Sequence, residues 1–408
     1  MVFVRFLAGT TRSYSHGIAA LAACLTDQGS TGRDVSLVTM RNADEDILPT
    51  ILSENPTVVL VSCTSNHWEL AETLARRLKQ ASPGLPLCLG GAHATADTMS
   101  AKGSMFDLVV PGEAELHIAG VVDRASRDLS AAQRYVTETD FRKSVVEDLD
   151  ATPLPYLGLF ERQDILAYPS LMFSRGCPHG CHYCLSRRGG FVGRVRWKSP
   201  ERAMREVASL LLYAHPDEVY LDDDSFLKNP SWVKAFCDLY RKGCRLPFYC
   251  NTNPTDVTSD VVAALKEANC AGLGIGVESG SERIRRQVLG RPAPNHVIER
   301  AFELAHKAGL ATWSFMMVGA PTETVEDLQE SILFNDKLGA SFTRVTLFTA
   351  YPGMQIPSSR EAIRSNTDYI CHSPSLSSEA SQVCEQWIRR LREAGRLWYT
   401  DDEMGRAR

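Results

Sequence analysis

Short apolar runs alternate with amphipathic helical segments along most of this chain, and this alternation limits the fold more than any other feature. In the first part of the sequence, the predicted strands are 2–7, 35–40, 57–63, 85–89 and 107–110. Helices are predicted over 17–25 and 68–78 and from residue 113 onward. Continuous apolar strands that alternate with helices are typical of parallel sheets covered on both faces. We therefore expect an α/β chain that begins with a doubly wound sheet of the flavodoxin or Rossmann type.

A second region repeats a strand-then-helix unit six times. Its predicted strands lie near 171–174, 218–221, 247–250, 272–277, 312–318 and 342–348. The predicted helices between them are 201–213, 231–242, 259–269, 295–308 and 325–338, and residues 322–324 are the predicted N-cap region of the last. Six units are fewer than the eight of a closed barrel, so we expect a partial (β/α)6 barrel. The chemistry of such barrels is at the carboxyl ends of the strands.

Two other stretches lack this rhythm and set the expected domain boundaries. Residues 131–165 are polar and carry Pro153 and Pro155, and proline discourages helix, so this stretch is predicted to link two domains. Residues 361–408 are predicted to form a tail with one amphipathic helix over 385–399. The expected domains are therefore a sheet domain over 1–130 and a barrel over 166–360.

Composition excludes several classes of protein. With 408 residues, 44% of them hydrophobic, the chain can bury more than one core. A net charge of −5 argues against a basic nucleic-acid footprint. Apolar runs are too short for a membrane helix, and the N-terminus lacks the marks of a signal peptide. We expect a cytoplasmic protein without a nucleic-acid or membrane partner.

The twelve cysteines divide into nine scattered ones and one group of three. The scattered ones are predicted to be small buried apolar residues. The group, Cys177, Cys181 and Cys184, follows the first barrel strand in the segment FSRGCPHGCHYC. Three thiolates at this spacing can hold three irons of a [4Fe–4S] cluster and leave the fourth open. A zinc site completed by His179 or His182 and a redox pair of Cys181 with Cys184 are the alternatives.

This cysteine motif resembles the signature of the radical S-adenosylmethionine (SAM) superfamily. Later segments match that superfamily in order: LDDDSF at 221–226, NTN at 251–253, GIGVESG at 274–280, VGAPTET at 318–324 and YPGM at 351–354. Met354 replaces the usual threonine of the last one. The resemblance implies that the three cysteines are catalytic cluster ligands and that the open iron binds SAM. It also implies reductive cleavage of SAM to a 5′-deoxyadenosyl radical.

The same resemblance implies SAM contacts at strand ends, at Tyr183, Asp223, Asn253, Glu278 and Ser279. These segments also have simpler interpretations. The acidic run 222–224 could be a solvated turn, Glu278 could cap a following helix, and 319–323 could be a plain turn with an N-cap. Arg187 and Arg188 could be solvated or could reach an anionic substrate or the side chains of a corrin.

Polar, glycine-rich loops follow the strands of the first region: GTTRSYSHG, SCTSNHW, GGAHAT and VPGEAE. Ligands of doubly wound sheets bind at this carboxyl edge. With the helix that starts at Gly17, these loops resemble the cobalamin-binding domain that precedes radical SAM cores. The resemblance implies cobalamin contacts at Thr10, the serine of the VSCTSN segment (Ser62, next to Val61), Thr64, Gly90, Gly91, His93, Gly112 and Glu113.

One cobalamin motif is incomplete. Many cobalamin proteins carry Asp-x-His-x-x-Gly, whose histidine binds cobalt, but here Tyr14 and Ala19 take the Asp and Gly positions around His16. We therefore expect a corrin without a histidine ligand. The alternative is a domain that has lost cobalamin and serves only as a scaffold.

Together these resemblances imply a cobalamin-dependent (class B-type) radical SAM methyltransferase that uses a [4Fe–4S] cluster, SAM and cobalamin. Its reaction would be radical methyl transfer from methylcobalamin to an unactivated carbon. The expected partners are a small-molecule substrate, such as a secondary-metabolite intermediate, or a peptide, and an electron donor of the flavodoxin or ferredoxin type. The alternatives are a cobalamin-dependent rearrangement, cyclisation or ring contraction, a radical SAM enzyme with a degenerate cobalamin domain, and a non-catalytic sensor.

Overall fold

The computed structural model describes residues 1–7, 12–27, 34–42, 44–127, 145–185, 194–356 and 376–398. The chain divides into two compact units. The first is built mainly from Met1–Tyr168, and the second mainly from Pro169–Arg187 and Pro216–Arg408. Each unit is organised around its own parallel sheet.

The first unit contains a five-stranded parallel sheet in the order β2-β1-β3-β4-β5. Its strands are β1 (Val2–Phe6), β2 (Ser36–Met40), β3 (Val59–Ser62), β4 (Leu87–Gly90) and β5 (Leu108–Val109). The strand order reverses between β1 and β3, and ligands of doubly wound sheets bind at such a switch point. The predicted doubly wound sheet is confirmed.

Seven α-helices accompany this sheet in the part of the chain that the structure describes. They are α1 (His16–Asp27), α2 (Leu48–Ser53), α3 (Trp68–Ala81), α4 (Gly91–Ala96), α5 (Thr98–Lys102), α6 (Ile118–Arg127) and α7 (Arg162–Ala167). The core joins Val4, Val61 and Leu89 of the strands to Leu74 and Leu78 of α3. The helix expected from residue 113 starts later, because 115–117 form a turn first.

The segment before the barrel packs on this first unit. The Tyr156 amide donates to the Ala19 carbonyl at 3.0 Å. The Phe160 ring lies edge-on to Tyr14, with the ring centroids 5.6 Å apart. Part of the proline-containing stretch thereby adds to the core around α1.

Asp164 of α7 is buried and neutralises several arginines. Its carboxylate accepts hydrogen bonds from Arg5 at 2.5 Å, Arg41 at 3.1 Å and Arg12 at 3.3 Å. Arg5 stands on β1 and is also buried, and burial lowers its pKa although Asp164 opposes that shift. A buried guanidinium needs such a partner, since an unpaired buried charge is costly.

The second unit contains a six-stranded parallel sheet in the order β13-β12-β11-β10-β9-β6. Its strands are β6 (Ser170–Leu171), β9 (Val219–Leu221), β10 (Phe248–Thr252), β11 (Cys270–Glu278), β12 (Ala311–Val318) and β13 (Phe342–Leu347). A separate antiparallel pair joins β7 (Ser174–Arg175) to β8 (Arg196–Trp197). The six predicted barrel strands are thus confirmed.

Helices follow the barrel strands as expected. They are α8 (Pro200–Ala214), α9 (Pro230–Gly243), α10 (Ser259–Glu267), α11 (Asn295–Lys307), α12 (Val325–Leu338) and α13 (Ser378–Glu393). Thr324 caps α12 in a reciprocal capping box with Asp327. A π-helical segment, Ile284–Val288, lies between β11 and α11.

The two faces of the barrel sheet differ. Thr343 faces the helices, since its hydroxyl accepts from Asn335 of α12 at 3.0 Å. Residues that alternate with this position in the sheet register, such as Trp313 and Phe315 of β12, lie on the opposite face, which we call the inner face. There, the rings of β12 lie over the glycines of β11. A Cβ at Gly272 would lie 2.1 Å from the Trp313 ring, so this close approach requires glycine.

The C-terminal helix differs from its predicted bounds. It ends at Glu393 rather than near residue 399, because Gly395 adopts a left-handed conformation with φ 64°. The chain then runs parallel to β13. The Thr343 amide donates to the Arg396 carbonyl at 2.7 Å, and the Trp398 amide donates to the Thr343 carbonyl at 2.8 Å.

Two expectations from the sequence concern membrane helices and the scattered cysteines. Among the residues that the structure describes, no helix is long and apolar enough to cross a membrane. The scattered cysteines that fall within the described ranges are all buried. Cys371 lies outside those ranges.

Replacement of Asp164 by alanine should destabilise the first unit by about 3–5 kcal/mol, because it leaves Arg5 buried without a counter-ion. Urea unfolding followed by circular dichroism measures this. The control is Glu161→Gln, since Glu161 is 70% exposed and pairs with Arg12 at the surface. Equal effects of the two variants would contradict the importance of the buried pair.

Candidate active site

The three cysteines lie on one loop, which we call the cysteine loop and which connects β7 to β8. The pairing of Ser174 with Trp197 and of Arg175 with Arg196 closes its base. Asp223, at the end of β9, braces the strand that leads into the loop. Its Oδ1 accepts from the amides of Phe173 at 3.0 Å and Ser174 at 2.5 Å.

Asp223 was predicted to contact SAM, and its surroundings are unusual for a carboxylate. It is fully buried, and burial raises its pKa to about 7 although hydrogen bonds from Ser174 and Phe173 oppose the shift. Its other oxygen, Oδ2, has no hydrogen-bond partner. The interpretation of this segment as a solvated turn fits Asp224, which is exposed, but does not fit Asp223.

A second tether joins the cysteine loop to the end of β10. His179 Nε2 lies 3.2 Å from Asp256, which also accepts from Ser225 at 2.9 Å and Lys228 at 3.1 Å. Burial alone would raise the pKa of Asp256, but these hydrogen bonds outweigh it and lower the pKa. Asn253, another predicted SAM contact, starts the same turn and accepts from the Thr255 amide at 3.1 Å.

A third tether joins His182 to the segment after the π-helix. The His182 amide donates to the Leu289 carbonyl at 2.9 Å, and its ring Nδ1 lies 2.9 Å from the Val288 carbonyl. The adjacent Gly290 must be glycine, since φ is 64° and a Cβ would lie 2.6 Å from the imidazole. Both histidines considered as zinc ligands therefore hold the loop in place.

Arg291 forms the fourth tether. Its guanidinium lies 2.6 Å from the Gly276 carbonyl, 3.2 Å from the Tyr183 hydroxyl and 3.8 Å from the Cys181 sulfur. It also pairs with Glu278 at 3.6 Å, and both side chains are nearly buried. Sequence reasoning missed Arg291, since nothing in the segment LGRPAP marks the arginine as different from a surface residue.

Glu278 owes its position to an irregular backbone. A β-bulge interrupts the pairing of β11 with β12 between Gly276 and Glu278, and Glu278 itself has φ 70°. Such strained positions cluster at functional sites. Burial raises the pKa of Glu278, while Arg291 and Tyr183 oppose that shift. Glu278 therefore belongs to the arginine pair and not to a helix cap.

Ser279 and Glu323 serve the packing behind this site. Ser279 is fully buried and its hydroxyl lies 3.0 Å from that of Ser331 on α12. Glu323 accepts from the Gly319 amide at 2.6 Å and the Ala320 amide at 3.3 Å. The interpretation of 319–323 as a turn before a helix fits this geometry. Arg187 and Arg188 lie outside the described residues.

The donor set of the loop fits an iron–sulfur cluster. Within the described ranges, no three histidine, cysteine, aspartate or glutamate side chains are already arranged to hold a metal ion. The three thiols are nevertheless near one another. Burial raises the pKa of Cys177 to about 11, and nearby Asp224, Cys184 and Cys181 add to the shift. Three soft sulfur donors beside a buried guanidinium suit a cluster of net negative charge.

The first unit has a cavity of about 140 Å³ at the carboxyl edge of its sheet. The loop before α1 contributes Ser13 and Ser15 to the lining, and the end of β3 contributes Ser62 and Thr64. The cavity lies beside the switch point between β1 and β3, where such sheets bind ligands. Two of the predicted cobalamin contacts, Ser62 and Thr64, therefore line the same small cavity.

The remaining predicted cobalamin residues are placed as follows. His93 is buried, stacks on Trp68 with ring centroids 4.3 Å apart, and leaves its Nε2 without a partner. The Gly112 amide donates to the Thr95 hydroxyl at 2.9 Å. Glu113 accepts from the Val146 amide at 2.7 Å. Thr10 lies outside the described residues, and His16 begins α1.

Gly91 and Gly90 have different roles, although both were predicted to contact cobalamin. Gly91 has φ 88°, and a Cβ there would lie 2.8 Å from the Ser62 hydroxyl and 3.0 Å from the Cys63 carbonyl. At Gly90, the nearest atom to such a Cβ would be 3.7 Å away. Only Gly91 allows the backbone of α4 to approach β3 this closely.

Comparison with known proteins identifies both units. The model of the B12 binding domain matches residues 7–122, and the model of the radical SAM superfamily matches residues 171–334. An uncharacterized methyltransferase of Pyrococcus horikoshii is 26% identical over 358 residues, which cover 83% of this chain and 77% of that protein. The tRNA-2-methylthio-N(6)-dimethylallyladenosine synthase of Thermus thermophilus is 29% identical over 246 residues, which are 57% of this chain and half of that enzyme.

Solved structures of the radical SAM methyltransferase TsrM from Kitasatospora setae share the fold. One, with cobalamin and a [4Fe–4S] cluster bound, superposes with a TM-score of 0.68 and 14% identity, and the match covers 87% of this chain and 76% of that one. Another, with tryptophan and a SAM analogue bound, gives a TM-score of 0.69 and 15% identity over 87% and 75% of the two chains. At this identity the likeness concerns the fold.

The chain thus carries a match to the B12 binding domain in its first unit, followed by a match to the radical SAM superfamily in its second unit. The predicted enzyme class is confirmed by these matches. The predicted cofactor set of cluster, SAM and cobalamin agrees with the two domains.

Replacement of Gly91 by alanine should destabilise the first unit by about 1–3 kcal/mol, because alanine must adopt a left-handed conformation and contact Ser62. Thermal unfolding of the purified protein measures the loss. Gly90→Ala is the matched control and should change stability little. If the two variants unfold alike, the close approach of α4 to β3 does not depend on Gly91.

Proposed function

We propose that this enzyme transfers a methyl group to an unactivated carbon of a small-molecule substrate by radical chemistry. The observation that carries the proposal is the cysteine loop, held at the carboxyl ends of six parallel strands with Arg291 beside Cys181. When bound, a reduced cluster would supply the electron that cleaves SAM to a 5′-deoxyadenosyl radical, and cobalamin would carry the methyl group that is transferred. The residues of this chain bind and orient these groups.

Cys177, Cys181 and Cys184 are the proposed ligands of three irons. The short spacing of the three thiols leaves one iron open, as chemistry at a cluster requires. The four tethers described above restrict the loop that carries the thiols. A flavodoxin- or ferredoxin-type protein is the proposed electron donor.

Arg291, Tyr183 and Glu278 are the proposed contacts of SAM nearest the cluster. The methionyl part of SAM carries a carboxylate and an amino group. Arg291 can pair with the carboxylate, and the Glu278 carboxylate can accept from the amino group or a ribose hydroxyl. Asp223 and Ser279 are proposed to support these contacts from behind, because both are fully buried. Asn253 shapes the turn after β10.

The cavity of the first unit is the proposed entry point for part of the cobalamin. Ser62 and Thr64 line it, Gly91 allows the close approach of the adjacent backbone, and Gly90 precedes it at the end of β4. Thr10, His93, Gly112 and Glu113 complete the proposed set. His16 starts a helix and its ring lies 4.7 Å from that of Tyr14. We therefore propose a corrin without a histidine ligand from this chain.

A small molecule is the proposed substrate class. TsrM, whose fold is similar, was solved with tryptophan as its substrate, and the Pyrococcus relative is named a methyltransferase. Both features favour methyl transfer over the alternatives of rearrangement, cyclisation or ring contraction. The match to the B12 binding domain argues against a degenerate cobalamin domain.

The proposal can be tested before the substrate is known. The protein is purified without oxygen, reconstituted with iron, sulfide and hydroxocobalamin, reduced, and incubated with SAM that carries a deuterated methyl group. We expect about four irons per chain, bound corrin, and corrin that carries the labelled methyl group. Iron without corrin, or corrin that never gains the label, would contradict methyl transfer.

Alanine at Cys177, Cys181 or Cys184 should abolish most iron binding, because each variant removes one of three ligands. The matched control is Cys24→Ala, since Cys24 is a buried cysteine on α1 of the other unit. Iron is quantified after desalting. Full iron content in any of the three loop variants would remove that cysteine from the ligand set.

Arg291→Met should weaken SAM binding about tenfold or more, since hydrogen bonds to charged groups contribute about 1.5–3 kcal/mol. Equilibrium dialysis of radiolabelled SAM against the reconstituted protein measures the affinity. Arg286→Met is the control, because Arg286 is an exposed arginine five positions earlier on the π-helical segment. Unchanged SAM affinity with full iron content would exclude Arg291 as a contact.

A further inference from the structure

Arg344 is a cation on the inner face of the barrel sheet that the proposed roles above do not use. It stands on β13 between Thr343 and Val345, which are buried on the helix side. Because successive residues of a strand point to opposite faces, Arg344 lies on the inner face. Its register partner on β12 is Phe315.

The register partners of Arg344 on the neighbouring strands extend across the sheet to the candidate active site. Phe315 pairs in turn with Gly276 of β11, whose carbonyl accepts from Arg291 at 2.6 Å. Arg344 is therefore two strands away from the residue that binds Arg291, about 10 Å across the sheet. A small molecule can span that distance.

The surroundings of Arg344 are largely aromatic. The Phe315 ring covers Gly274, where a Cβ would lie 2.6 Å from the ring. One step toward the amino ends of the strands, Trp313 stacks on Phe342 with ring centroids 5.3 Å apart. The guanidinium thus stands beside an apolar wall that could contact a flat ring.

Arg344 is half-buried and lacks the acceptors that the buried Arg5 and Arg285 have. Its Nε is buried without a hydrogen-bond partner. Arg5 pairs with Asp164, and Arg285 donates to the Ser279 carbonyl at 2.5 Å. Among the described residues, none accepts a hydrogen bond from Arg344. A buried donor without an acceptor is costly, so its retention on this face points to an acceptor supplied by a ligand.

We propose that Arg344 binds the carboxylate of the substrate and that the substrate is a small aromatic acid. The inference rests on the proposed function, which it deepens by naming the substrate class. A guanidinium pairs with a carboxylate through two parallel hydrogen bonds, which fix the direction of the bound molecule. The aromatic wall contacts the ring, and the acid is oriented with respect to the SAM site around Arg291.

Benzoate serves as the probe because it combines a carboxylate with one aromatic ring. The full chain, reconstituted without oxygen, is treated with phenylglyoxal in the presence of benzoate or of benzyl alcohol, and arginine labelling is mapped by peptide mass spectrometry. We expect saturating benzoate to slow labelling of Arg344 about tenfold, as occupancy of a charge-assisted pair requires. Benzyl alcohol should not protect Arg344, and labelling of the exposed Arg286 should not change. Equal labelling with both probes, or no labelling of Arg344 under any condition, would overturn the proposal.

Two variants separate this site from the SAM site. Arg344→Gln should lose binding of radiolabelled benzoate in equilibrium dialysis, and Arg344→Lys should retain part of it. Both should keep the iron content and SAM affinity of the parent protein. A loss of SAM affinity in Arg344→Gln would assign the guanidinium to SAM and overturn the substrate role.

The outcomes also distinguish this inference from the proposed function. Benzoate could protect Arg344 in a protein that neither binds iron nor gains labelled corrin. That result would support the acid-binding role of Arg344 and contradict methyl transfer. Correct iron content and labelled corrin without protection would leave methyl transfer and remove the acid-binding role of Arg344.

Discussion

One buried guanidinium, that of Arg291, joins the cysteine loop to the longest strand of the barrel sheet. Several irregular features near it follow from that contact. Gly276 has no side chain, and a Cβ there would lie 3.0 Å from the Arg291 Nη2. The bulge after Gly276 turns Glu278 toward the same guanidinium. The Arg291 cation and the Glu278 carboxylate therefore depend on each other, because either charge would be costly to bury alone. The same cation also holds the cysteine loop.

The cysteine loop gains order from its neighbours rather than from regular secondary structure. Asp223 holds the strand that enters it, Asp256 holds His179, and the segment after the π-helix holds His182. Each of these partners follows a different strand of the sheet. Functional loops on rigid scaffolds are common, and this one is restrained at several points along its length. Such restraint reduces the reorganisation needed to bind a cofactor.

The alternation of apolar runs and helices predicted the strands well, because burial of parallel strands leaves a strong local pattern. The cysteine motif was equally visible, since its ligands lie within eight residues. Arg291, Asp256 and Asp164 were not predicted. Each acts through partners that are distant in sequence, such as Asp164 with Arg5, and ion pairs of this kind leave no periodic signal. The glycines illustrate the same limit, since only the structure distinguishes Gly91 from Gly90.

The parallel pairing of the segment after α13 with β13 has a consequence for the behaviour of this protein at high concentration. An uncovered edge strand presents free amides and carbonyls, on which another copy can add a strand and start an aggregate. Here the Arg396 carbonyl and the Trp398 amide form hydrogen bonds with the amide and carbonyl of Thr343 at that edge. The Trp398 ring also lies edge-on to Trp313, with the centroids 5.1 Å apart, which anchors the covering segment. A few residues far from the cysteine loop thus cover the Thr343 part of this edge, where a strand of another copy could otherwise pair.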